Sequence, residues 1–174
     1  MKELTFLNNK TKKELYKYTF AVLTAVITWL LQISMMSNIQ FFEVSPNLLL
    51  LACTFIGLIF GPVSGFITGL IISFLSAGVI YNHIFYLSYP LVGLLSAFIL
   101  KNIFSSELLS YLILCFILSF PCELLNYFQY SSPEIKIGFG KITSILFISS
   151  LQNVISGLLF YFFMTFISKK LKLR

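Results

Sequence analysis

Residues 44 to 77 read VSPNLLLLACTFIGLIFGPVSGFITGLIISFLSA, and no Asp, Glu, Lys or Arg occurs in them or onward to residue 100. A membrane-crossing helix needs about 20 apolar residues. The charge-free region is therefore too long for one helix or two, and it must be broken from within. Pro46 favours a helix start. Gly61-Pro62 reads as a turn, because proline has no N–H to continue a helix but sits well in the first turn of the next. Tyr81-Asn82-His83 is a second polar break. This punctuation predicts helices over 47–60, 62–80 and 84–100, the first of them short for a full span.

The same stretch carries a ladder of small residues. Gly57, Gly61, Gly65, Gly69, Ser73 and Ala77 recur every four residues, and Gly93 and Ala97 repeat the spacing on the following helix. Small residues at this interval let helix backbones approach closely, the usual contact device between helices in lipid. The ladder thus predicts a close helix contact. It is made either with the chain's own neighbours or with a partner's transmembrane helix, and Gly57, Gly61, Pro62, Gly65, Gly69, Ser73 and Gly93 are the candidate partner-binding positions.

Outward from this centre, an apolar run over 18–36 predicts an uncleaved first helix. Runs over 108–127, with Pro121 inside, and 142–168 predict the fifth and sixth. Residues 1–17 and 169–174 remain as basic tails around a six-helix transmembrane domain at 18–168. Lys and Arg collect on the cytoplasmic side of membrane proteins. Two basic ends therefore predict cytoplasmic termini and an even number of spans.

Composition agrees. Of 174 residues, 58% are hydrophobic and 10% charged, and the mean hydropathy is +0.93. A soluble domain runs nearer about 45–50% apolar and about 25% charged. The expected class is an all-α integral membrane protein without a soluble catalytic or nucleotide-binding domain. The net charge of +6 sits at the chain ends, facing anionic lipid headgroups and not nucleic acid.

The acidic residues are all Glu and the single histidine is His83, which leaves little for acid–base or metal chemistry. Ser64 has only His83 as a possible base, so a membrane serine protease is not expected. Cys115 and Cys122 would lie about 10 Å apart on one helix, too far to bridge. With Cys53 they read as small buried hydrophobes. No cofactor, metal or catalytic set is expected. Glu123 is the one carboxylate inside an apolar span, and such a group is a functional candidate by default. With Asn126, three residues on and on the same face, it is the candidate for a polar cavity. Gln152 and Asn153 are expected to hydrogen-bond between helices.

From about residue 30 to 102 the sequence resembles the MreD family of rod-shape-determining membrane proteins. The matching residues are Leu30-Leu31-Gln32, Pro46-Asn47-Leu48-Leu49-Leu50, Gly61-Pro62, Gly65, Gly69-Leu70 and Tyr89-Pro90-Leu91-Val92-Gly93. They cover roughly half the chain. The family commonly has an acidic residue a few positions after the last ladder glycine, where this chain has Ser73 and Phe74. The resemblance implies a non-enzymatic scaffold of the bacterial cell-wall elongation complex in the cytoplasmic membrane. It would bind the single-span protein MreC and work with MreB, RodA and a penicillin-binding transpeptidase. The Gly-Pro turn and glycine ladder also resemble the six-helix substrate-binding (S) components of energy-coupling-factor vitamin transporters, which use an Ala-x-x-x-Ala pair such as Ala21 and Ala25 for docking. That is the competing expectation.

Overall fold

A computed structural model describes residues 9–34, 44–79, 88–99, 106–130, 139–171 and 173. The described residues form six helices: α1 (Asn9–Ser34), α2 (Leu48–Phe60), α3 (Pro62–Val79), α4 (Ser88–Ile99), α5 (Glu107–Tyr130) and α6 (Phe139–Lys170). Three helical stretches, Thr11–Ser34, Glu107–Leu125 and Gly140–Lys170, are long and apolar enough to cross a membrane, and the chain is a membrane protein by that measure. His83, Glu43, Glu134 and Lys136 lie outside the described residues.

α2 is the axis of the fold. Every residue from Leu48 to Gly57 is buried, and α2 alone touches all five other helices. Its 13 residues extend about 20 Å, well short of the ~30 Å hydrocarbon layer. A short helix of this kind is stable only because α1, α3, α4, α5 and α6 enclose it. These five are in contact in the order α1, α3, α4, α5, α6, with no close backbone approach between α1 and α6 among the described residues.

Side-chain contacts set the helix directions. Gln32 of α1 meets the start of α2, and Phe20 meets Phe60 at its end with ring centroids 5.5 Å apart, so α1 runs antiparallel to α2. Asn153 lies at Asn47 and Tyr161 at Phe55, so α6 runs parallel to α2. Lys12 and Lys13 near the start of α1 therefore emerge at the same end of the bundle as Lys169 and Lys170.

The basic segment expected as a tail is helical from Asn9 onward. Lys, Glu and Leu are good helix formers, and Lys17 pairs with Glu14 one turn earlier at 2.7 Å. Charge marks where an apolar span ends, which is not where a helix must end.

At the end of α2 away from Asn47, Phe55 makes edge-on contacts with Phe60, Tyr111, Phe160 and Tyr161, with centroids 5.8–6.5 Å apart. The Tyr111 hydroxyl donates to the Leu51 carbonyl at 3.2 Å. Phe55→Ala would leave a hole where three helices, α2, α5 and α6, meet and is expected to cost about 3 kcal/mol. The reading is a lower melting temperature in detergent with the helical circular dichroism retained. Phe74→Ala, at a side chain 80% exposed, should leave the melting temperature unchanged.

Candidate functional site

A helix that starts inside a bundle in lipid cannot leave its first N–H groups to water, so side chains must take them. At the start of α2 the sequence provides those side chains from three directions. Asn47 caps the helix itself, its Oδ1 accepting from Leu50 N at 3.1 Å. Leu48 N donates to Gln32 Oε1 at 2.7 Å, and Gln32 Nε2 returns a bond to the Pro46 carbonyl at 3.1 Å. Asn47 N donates to Asn153 Oδ1 at 2.8 Å.

The same node then extends sideways. Asn47 Nδ2 donates to Glu123 Oε1 at 3.2 Å and to the Tyr89 hydroxyl at 3.4 Å. Asn153 Nδ2 donates to Ser119 Oγ at 2.9 Å, and Cys122 Sγ lies 4.0 Å from Ser88 Oγ. Five helices, α1, α2, α4, α5 and α6, thus meet in one polar network around Asn47. Glu123 stands where a carboxylate is best tolerated in an apolar span. It faces an amide donor at the N-terminal end of α2, which carries partial positive charge. Of the expected polar pair, the structure brings Glu123 into this node. Asn126 lies on α5, with its side chain outside the described residues.

The glycine ladder builds the seam that positions Tyr89. A Cβ on Gly65 would overlap the Gly93 carbonyl oxygen and approach Gly57 Cα to 2.6 Å. On Gly93 it would overlap the Gly65 carbonyl group, on Gly69 the backbone of Tyr89 and Pro90, and on Gly57 Ser96 Oγ and the Gly93 carbonyl. α2, α3 and α4 therefore touch backbone to backbone. These glycines, expected as possible partner-binding positions, receive the chain's own helices because only a residue without a side chain leaves room for them. Gly61 serves differently. Its φ of +99° closes α2 and turns the chain directly into α3, a conformation that favours glycine. Pro62 is the first residue of α3. Ser73 is half-buried and Ala77 exposed.

Asn153 makes the expected interhelical bonds. The central role of Asn47 was not read from the sequence. Its position between Pro46 and four leucines is a cap signal, but nothing local ties it to Glu123, 76 positions away. Among the described residues no group of three or more His, Cys, Asp or Glu side chains could hold a metal ion. Cys53, Cys115 and Cys122 are buried free thiols. No family model, curated protein or solved structure matches the chain.

Proposed function

We propose that this chain is a non-enzymatic, multi-pass scaffold of the bacterial cytoplasmic membrane, similar to MreD, that holds a single-span partner of the wall-elongation machinery. Both basic ends face the cytoplasm, where Lys and Arg accumulate. The observation that carries the reading is the convergence of the resembling residues. Gln32, Pro46 and Asn47 frame the start of α2. Gly65, Gly69, Tyr89, Pro90 and Gly93 form the seam that brings α4 against it. Residues spread over a large part of the sequence act as one structural unit, as expected if they specify an architecture and not a reaction.

The glycine seam is filled from within, so the partner's helix packs elsewhere. No close backbone approach joins α1 and α6 among the described residues, and both helices expose apolar side chains, among them Leu23 and Ile27 on α1 and Ile155 and Phe162 on α6. On this reading the partner, an MreC-like single-span protein, packs against the exposed apolar side chains of α1 or α6. RodA, the transpeptidase and MreB join through it. The S-component reading has less support. Ala21 and Ala25, its docking pair, are both fully buried, and the amides of Gln32, Asn47 and Asn153 already bond to one another's surroundings.

Gentle detergent purification of the full chain followed by mass spectrometry tests the proposal. A co-purifying single-span protein with a coiled-coil segment is expected, together with round cells on depletion. A bound vitamin, or a coupling subunit with paired ATPases, would overturn it.

A further inference from the structure

α1 has two faces. Phe20, Ala21, Thr24, Ala25 and Thr28 are buried in the bundle. At the same helical spacing Lys12, Tyr16, Thr19, Leu23 and Ile27 are all exposed, and Lys13, also exposed, flanks Tyr16 one turn earlier. This outward face changes character along its length. It opens with two ammonium groups and passes a phenol, the kind of ring that settles at the headgroup layer. Thr19 returns its hydroxyl to the Leu15 carbonyl at 3.0 Å, and from Leu23 onward the face is apolar. Lys12 to Ile27 is about 22 Å along a helix axis. One leaflet with its headgroups is half of a ~40–45 Å bilayer, so the graded stretch matches a single leaflet.

The two lysines lack a counter-charge among the described residues. Glu14 is the one described carboxylate on α1, and Lys17 takes it in the one ion pair among those residues. No acidic residue stands in the first turn of α1. Lys169 and Lys170, at the same end of the bundle, are placed differently. They occupy the last turn of α6, where the helix end is itself partly negative. The occupant that complements the face of α1 is therefore anionic at one end and apolar over one leaflet. A partner's spanning helix would continue past the bilayer midplane, and it brings no anion by necessity. A phospholipid with an anionic headgroup has both properties.

We propose that the outward face of α1 holds one anionic phospholipid, its headgroup at Lys12 and Lys13 and an acyl chain along Leu23 and Ile27. The inference does not depend on the scaffold reading. Where both hold, the lipid covers α1 and the partner's helix takes α6.

The full-length protein in mild detergent is mixed with phosphatidylglycerol or phosphatidylcholine of identical acyl chains, and retained lipid is read by native mass spectrometry. Phosphatidylglycerol is expected to be retained several-fold better and to raise the melting temperature, which inorganic phosphate at the same concentration should not do. Lys12→Gln/Lys13→Gln should lose that preference several-fold, and Lys12→Arg/Lys13→Arg should keep it. Lys169→Gln/Lys170→Gln removes the same charge from the same end and should also keep it. Equal retention of the two lipids overturns the proposal, as does an equal effect of inorganic phosphate. So does retention that the α1 glutamines leave intact, that the arginines fail to keep, or that the α6 glutamines reduce as strongly. A photoreactive benzoylphenylalanine in place of Leu23, irradiated in native membranes, identifies the occupant directly. Cross-linking to phospholipid is expected; cross-linking to a second copy or to another protein overturns the proposal and leaves the scaffold reading standing.

Discussion

Replacing Gly65 with leucine is expected to abolish the folded bundle, with little monodisperse protein recovered from detergent. The reason is what stands in the way. A Cβ at Gly65 meets the Gly93 carbonyl and Gly57 Cα, so three helices would have to separate, not one side chain turn aside. Overpacking against side chains costs about 1–3 kcal/mol. Overpacking against backbone on two sides exceeds that range and approaches the ~5–15 kcal/mol that holds a typical domain together. Gly65→Ala should show the same defect in milder form, as a lowered melting temperature. Gly140→Leu is the control, because nothing lies within 4 Å of a Cβ there. Recovery of Gly65→Leu at the wild-type yield and melting temperature, with only a partner lost, would place the glycine edge on the outside and contradict the seam.

That contrast explains how much of the fold was legible. The four-residue spacing announces a close backbone approach but not which backbone approaches. Gly93 on α4 obeys the same rule as Gly65 on α3, and their pairing is a property of three dimensions. The boundary between α2 and α3 could be read directly, since Gly61 and Pro62 each have a local conformational preference that ends one helix and begins the next. The start of α1 could not, because lysines mark the edge of the apolar layer while remaining good helix formers. The polar node was least legible. Gln32, Asn47, Glu123 and Asn153 come from four separate segments, and each looks like an isolated polar residue until the helices are assembled.

Asn47→Ala is expected to cost roughly 3 kcal/mol, the sum of a lost helix cap and a lost bond to a charged group. The alanine has no acceptor for Leu50 N and no donor for Glu123 Oε1 or the Tyr89 hydroxyl, all now served by one side chain. The backbone bond from residue 47 to Asn153 would survive. The loss should therefore appear as a lower melting temperature with helix content retained. Asn47→Asp separates the two contributions. Aspartate keeps the cap, and suits the positive end of a helix, but it offers Glu123 a second carboxylate in place of a donor. If the bond to Glu123 matters as much as the cap, Asn47→Asp is destabilised despite being a good capping residue. Glu123→Gln should then restore most of the difference by removing the like charge. Equal melting temperatures for Asn47→Asp and Asn47→Asp/Glu123→Gln would mean that the two side chains do not interact. Asn47 would then be a cap alone, and the convergence of α5 on the start of α2 would rest on Asn153 and Ser119 without Glu123.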